Sequence, residues 1–348
     1  MKRLFLPVGF LLAVSVVMLS SISLHLFYLQ LVWIAAGALL IFIFNRIDIR
    51  SFLNYRWLIW GLYTLAVLLV FLAYVAGPVI RNTRSWIVIG PFQFQPVELV
   101  KVALILAYAQ YFSRRHLAIA RWKNIFASFA IFILPAGIVA LQPDLGSAVI
   151  LFGIWFGFLL VSGLPRRRII AAFFIFIIAG FIGWHTVLKD YQRLRIQGVF
   201  YPERNVLTIN YSVIQSKIAI GSAGLWGKGY KQGTQTQLGF LSEPANDFIF
   251  AATVEEWGIA GGAAVVAAFL FLLAGILKVG LAAQHNFEKF ICLGTAIVFL
   301  VHFIVNAGSA VGLFPVVGVT FPFLSYGGSS LLTNFFLLAI IYSIARRA

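Results

Sequence analysis

Acidic side chains are scarce in this sequence: Asp and Glu number 10 among 348 residues, and charged residues of both signs make up only 10%. A soluble domain carries roughly 25% charged residues, so a water-facing globule is excluded as the body of the chain. Cysteine is almost missing too. The one thiol, Cys292, lies inside an apolar run, which rules out an intramolecular disulfide and makes cysteine usage silent on compartment. Internal repeats and low-complexity tracts are lacking, and no A-x-A-like site follows Met1-Lys2-Arg3. The first apolar run is therefore read as a span and not as a cleaved leader.

What is present is apolar surface. Hydrophobic residues make up 62% of the chain and aromatics 16%, with a mean hydropathy of +0.99. Apolar runs of about 17 to 25 residues recur along nearly the whole length, and helices satisfy their own backbone polar groups in lipid. The expected fold is all-α, one polytopic membrane domain over 1–348. About ten transmembrane helices are expected, near 5–23, 26–44, 57–76, 95–112, 125–141, 144–162, 169–188, 248–277, 289–307 and 326–345. One long loop, about 189–247, separates spans seven and eight, and within it 207–220 has helix-compatible apolar spacing.

The net charge of +16 could suggest nucleic acid, but the basic residues sit in short connections without an RNA-binding motif. Lys2/Arg3, Arg46/Arg50/Arg56, Arg114/Arg115/Arg121/Lys123, Arg166/Arg167/Arg168, Lys278/Lys289 and Arg346/Arg347 fall on alternate connections and at both ends. The positive-inside rule makes those faces cytoplasmic. Both termini are then cytoplasmic, and the long loop lies outside.

Four of the ten acids, Glu243, Asp247, Glu255 and Glu256, gather between Lys217 and Glu256 together with Lys228 and Lys231. Asp247 precedes an apolar helix, where a carboxylate can cap free amides or, at a polar substrate, act as general base. Glu255 and Glu256 lie two turns deeper, where an ionised group costs about 2.5 to 3.5 kcal/mol and normally faces a cavity or partner. At 100° per residue Glu255 can line the same cleft as Asp247, whereas Glu256 points away and pairs structurally. Glu98 and Lys101 share a helix face three residues apart; they form a structural pair or one that also orients substrate. Asp144 stands at another expected helix start, as a cap or a site carboxylate. Pro96 and Pro143 favour helix starts at Gln95 and Gln142. Arg81 and Arg84 suit phosphate or lipid headgroups. The uncharged run 312–330 holds too many Gly and Pro for a plain span, and reads as a broken lead-in to the last helix. Ser325, Tyr326, Ser329 and Ser330 there can face a polar substrate.

Five motifs, in order, carry a resemblance: RSWIVIGPFQFQPVELVK, QPDLGSA, YSVIQSKIAIGSAGLWGKG, GTQTQLGFLSEPANDFIFAATVEEWG and GLFPVVGVTFPFLSYGGSS. Together they resemble the SEDS family (shape, elongation, division and sporulation) of bacterial peptidoglycan glycosyltransferases, and GTQTQLGF is closer to its elongation branch than to its division branch. The resemblance implies polymerisation of lipid II into nascent glycan strands on the outer face of the cytoplasmic membrane. It also implies a class B penicillin-binding protein and the elongation machinery as partners. The family's essential loop aspartate falls on Asp247, its QPxExxK pair on Glu98 and Lys101, and its PDLG acid on Asp144. This sequence departs from the family pattern at Asn246, in place of a common Thr, and at Val97, in place of a frequent Ser.

The implied reaction is attack of a sugar hydroxyl on an anomeric carbon bearing pyrophosphate. It needs one base, and cations for a leaving group that is already a stable anion. Asp247 is the expected base; Lys217, Lys228, Arg84 or a divalent cation would offset the pyrophosphate charge. The rival expectations are a lipid-precursor flippase, since intramembrane charges and broken helices are also transporter signs, and a non-catalytic scaffold for the penicillin-binding protein.

Overall fold

The computed structural model describes residues 2–46, 55–80, 83–90, 92–114, 122–161, 165–186, 188–201 and 210–346. The helices described are α1 (Lys2–Ile22), α2 (Leu24–Arg46), α3 (Arg56–Ala76), α4 (Pro96–Ser113), α5 (Trp122–Leu141), α6 (Leu145–Val161), α7 (Arg166–Thr186), α8 (Asp190–Phe200), α9 (Tyr211–Gly221), α10 (Thr234–Gln237), α11 (Ile249–Ala282), α12 (Asn286–Ala310) and α13 (Gly328–Ala345). Seven of them, α1, α2, α3, α5, α11, α12 and α13, are long and apolar enough to cross a membrane, and α6 is a shorter apolar helix. The expected spans at 95–112 and 169–188 are the helices α4 and α7.

Helix α3 illustrates why these segments are helical and where they sit. Ile59, Tyr63, Ala66, Val67, Val70 and Ala73 are buried on one stripe, at the three- and four-residue spacing of a helix face. Leu65, Leu68, Phe71, Leu72 and Val75 are exposed on the other side. A helix with an apolar outer face is unstable in water and stable in hydrocarbon. Multi-span membrane placement follows from this burial pattern and the seven long apolar helices.

The chain forms two compact units. The first comprises Met1–Leu40, Asp190–Gly275 and Phe299–Phe335, the second Ile41–Lys189, Ile276–Val298 and Phe336–Ala348. In the second unit α4 is the central helix: from Pro96 to Phe112 all but Leu99 and Tyr111 are buried. The first unit is organised around an aromatic cluster. Phe321 lies 5.2 Å from Phe269 and 5.4 Å from Phe303, and Phe323 lies 5.6 Å from Phe299 and 5.7 Å from Phe335, ring centre to ring centre.

Several local expectations change. Strands β1 (Ile87–Ile89) and β2 (Phe92–Phe94) pair antiparallel, so the described residues are helical with one small hairpin. Its β-branched and aromatic residues around Gly90, at φ 58°, are a hairpin signature. Pro96 does open α4, behind Gln95 as N-cap. The second expected start is wrong: α6 begins at Leu145, and Gln142 instead closes α5, its amide N–H donating to Ile138 at 3.1 Å and its side chain to the Val70 carbonyl at 2.9 Å. Within the long loop, α9 begins at Tyr211; 207–209 lie outside the described residues. The lead-in to α13 is non-helical from 311 to 327, as its glycines and prolines imply.

Candidate active site

Asp247 is half-buried in a turn that ends where α11 begins. The first helical carbonyl is that of Phe248, which accepts from the Ala252 N–H at 3.0 Å. Asp247 therefore stands one residue outside the N-cap position, and the helical rotation used to relate it to Glu255 does not apply.

The turn is gripped by its main chain. The Ala245 carbonyl accepts from the Tyr326 N–H at 2.9 Å, the Asn246 carbonyl from the Ser325 hydroxyl at 2.7 Å, and the Asp247 carbonyl from the Asn306 side-chain amide at 3.1 Å. Asn306 also donates to the Val319 carbonyl at 2.7 Å, and Ser325 accepts from the Phe321 N–H at 2.8 Å. One amide on α12 and one serine thus tie the Asp247 turn to the 319–326 loop, and Phe321 and Phe323 anchor that loop in the aromatic cluster. Ser325, expected to face substrate, is buried and supports the turn instead. Burial, partly offset by a hydrogen bond with Trp33, raises the Tyr326 phenol above its ordinary pKa.

Glu255 does not line an open cleft. It is fully buried, and its carboxylate accepts from Lys228 Nζ at 2.9 Å, the Gln235 N–H at 2.8 Å, and the Thr236 N–H and hydroxyl at 3.0 and 2.8 Å. A buried carboxylate so supplied is a staple for the 228–237 segment. Glu256 accepts from the Ser21 hydroxyl and from Gln237 Nε2, in keeping with its expected structural pairing.

The staple sits at a break in α11, where Gly258 has φ 75° and ψ −178°. Backbone freed from helical bonding inside a span must find partners, and the 224–229 segment supplies them. Lys228 N–H donates to the Glu255 carbonyl at 2.9 Å and Gly229 N–H to that of Glu256 at 3.0 Å; in return Ile259 and Ala260 donate to Gly224 and Leu225 at 3.0 and 3.1 Å. The approach demands two glycines. A Cβ on Gly227 would lie 2.2 Å from the Glu256 carbonyl oxygen, and one on Gly258 2.2 Å from that of Leu225.

The cations divide. Lys228 is committed to Glu255 and to the Thr234 hydroxyl at 2.8 Å. Lys217, exposed on α9, lines a small cavity with Arg195, Asn210 and the 312–316 segment, and Arg195 donates to the Val316 carbonyl at 3.0 Å. Arg84, exposed just before β1, belongs to the second unit; Arg81 lies outside the described residues.

In that unit Lys101 pairs with Glu98 at 2.8 Å, both buried, and Glu98 Oε2 has no hydrogen-bond partner among the described residues. Asp144 caps α6: its carboxylate accepts from the Ser147 N–H at 3.0 Å and hydroxyl at 2.7 Å, and from Gln95 at 3.2 Å. Among the described residues no three His, Cys, Asp or Glu side chains gather to hold a metal, so the divalent cation left open by the sequence has no cage of protein ligands there.

Asn306, Arg195 and the glycine pair were not singled out from sequence. Asn306 had a signal: a lone amide in the run FLVHFIVNAG is expensive in hydrocarbon unless it has partners. The glycines had none, because no local pattern ties Gly227 in the loop to Gly258 in the span.

Comparison with known proteins agrees with this architecture. Residues 2–348 match the FtsW/RodA/SpoVE family model, described as a cell cycle protein. The chain is 36% identical over 285 residues to the peptidoglycan glycosyltransferase MrdB of Escherichia coli, covering 81% of this chain and 76% of the relative. With the Helicobacter pylori MrdB, identity is 36% over 340 residues, covering 96% and 87%. The crystal structure of the Thermus thermophilus rod shape determining protein RodA superposes with TM-score 0.75 at 29% identity over 99% of this chain and 96% of that one. A chain of a peptidoglycan synthase complex that coordinates polymerization and crosslinking gives TM-score 0.84 at 32% identity, with 99% and 96% covered. A match over nearly its whole length, joined to helices that span lipid and a carboxylate-bearing turn held at a helix entrance, places this chain in the FtsW/RodA/SpoVE family, SEDS.

Proposed function

We propose that the chain is a peptidoglycan glycosyltransferase that polymerises lipid II during cell elongation, with Asp247 as general base. The observation that carries the reading is the main-chain grip on residues 245–247, which holds one half-buried carboxylate in place before substrate arrives. Preorganisation of this kind is what a base needs, since misplacement by about 1 Å can cost a hundredfold in rate.

The acceptor GlcNAc 4-hydroxyl attacks the anomeric carbon of the donor. Asp247 takes the hydroxyl proton as the new C–O bond forms and the bond to pyrophosphate breaks, inverting the centre to a β-1,4 linkage. Undecaprenyl pyrophosphate leaves as an anion with Lys217 and Arg195 as its counter-charges; Lys228 is spent on Glu255. Within the second unit, the buried Glu98–Lys101 pair, Asp144 and Arg84 are the residues this reading assigns to supporting lipid II. The reading also sets the protein in the bacterial cytoplasmic membrane with both termini cytoplasmic and the site on the outer face. A class B penicillin-binding protein would be its partner.

Purified protein given labelled lipid II should form glycan chains. Asp247→Asn should lower turnover by about 10²- to 10⁴-fold, the usual worth of a general base, with an unchanged melting temperature. Polymerisation surviving in that variant would remove Asp247 as base. Translocation of lipid II across vesicles without any polymer would replace the polymerase reading by the flippase, which the break at Gly258 also suits.

A further inference from the structure

We propose that the end of the second unit remote from Glu98 and Lys101 carries a binding site for the phosphate headgroup of an anionic phospholipid. A cavity of about 240 Å³ there is lined by Arg56, Trp60, Gln110, Tyr111 and Arg114. Arg56 opens α3 and Arg114 directly follows α4. Since α4 runs 18 residues, about 27 Å at 1.5 Å per residue, the cavity is nearly one hydrocarbon thickness from the Glu98 end. It thus lies at the level of the other leaflet's headgroups and shares no residue with the candidate active site.

Its chemistry is that of a phosphate receptor. Both arginines are exposed, and neither has an acidic partner among the described residues. Two guanidinium forks meet phosphate oxygens in paired hydrogen bonds. The Gln110 side chain faces the same cavity; the residue is only 7% exposed, and its amide, with no hydrogen-bonding partner among the described residues, opens onto the cavity, where it can donate to a phosphate oxygen. Trp60 and Tyr111 are the aromatic types that favour the membrane–water boundary.

The surroundings favour a lipid over a soluble anion. Trp57, one turn from Trp60, is 70% exposed, and Leu65 and Leu68 continue the exposed apolar flank of α3 toward the hydrocarbon. Acyl chains can lie along that flank while the phosphate occupies the cavity. Basic pockets between membrane helices bind anionic headgroups in this manner.

The test is native mass spectrometry of the purified full chain in detergent with phosphatidylglycerol, with phosphatidylcholine, and with millimolar inorganic phosphate as competitor. The wild type should retain phosphatidylglycerol in preference to phosphatidylcholine, and inorganic phosphate should not displace it. Arg56→Gln and Arg114→Gln should each weaken retention about fivefold, and Gln110→Leu should weaken it as well. Arg56→Lys with Arg114→Lys, which keeps charge but loses the forks, should bind more weakly than wild type; this pair also serves if the glutamine variants do not fold. Unchanged retention in the folded variants, equal retention of the two lipids, or displacement by inorganic phosphate would each overturn the proposal.

Discussion

The main chain of the Asp247 turn is held by uncharged groups, and the most exposed to test is Asn306. Its side-chain amide serves two carbonyls, those of Asp247 and Val319. Asn306→Ala strands them, and an unsatisfied buried group costs about 1 to 3 kcal/mol. The expected outcome is a lower melting temperature and, because the turn loosens, a turnover at least tenfold lower with little change in KM. Glu255 should behave differently. Glu255→Gln removes the charge that holds Lys228 and weakens the contacts from Thr234, Gln235 and Thr236. Since Lys228 keeps some solvent access, the loss should sit at the lower end for broken buried pairs, about 3 kcal/mol. Hydrogen exchange over 228–237 should rise in that variant. A Glu255→Gln protein of normal stability but without activity would instead mark Glu255 as part of the chemistry. The scarcity of acids made both carboxylates visible in the sequence, but scarcity could not sort them. Their roles are set by partners at Lys228, Thr236, Asn306 and Ser325, far away along the chain.

The broken α11 joins a span to the loop that closes over it. Four backbone hydrogen bonds link 224–229 with 255–260, and both Gly227 and Gly258 have positive φ, at 83° and 75°. Alanine at either position meets a backbone oxygen and a left-handed conformation that costs about 1 to 2 kcal/mol by itself. Gly227→Ala and Gly258→Ala should therefore expose the loop to limited proteolysis well before the helices unfold; protection equal to wild type would contradict the packed junction. Helix α4 offers the contrasting case of a regular element carrying buried charge. If Glu98 and Lys101 act as a structural pair, Glu98→Lys with Lys101→Glu should recover activity lost in either single variant, whereas direct contact with substrate would leave the swap inactive. The pair was legible from its three-residue spacing alone. The hairpin was legible too, in WIVIGPFQF, but the apolar reading of the whole chain masked a short strand signal.

For the molecule as a whole, apolar side chains on outer faces and charge collected at helix ends and loops match a protein dissolved in a bilayer. The proposed orientation can be checked cleanly because the only thiol, Cys292, is buried. Ser242→Cys, at an exposed position in the loop before Asp247, should react with a membrane-impermeant maleimide in intact cells. Labelling only after the membrane is opened would reverse the topology. The class of fold, the approximate spans and the gathering of charge in the 217–256 stretch were determined by the sequence alone. The reason is that hydrocarbon forces each span to satisfy its own backbone, and that leaves a local pattern in composition. Which carboxylate lies in the gripped turn and which is a staple, why Lys228 is spent, and what Asn306 and the two glycines hold were decided only by tertiary structure. Those outcomes depend on hydrogen bonds between segments as distant as Ser21 and Glu256, and no local pattern records them.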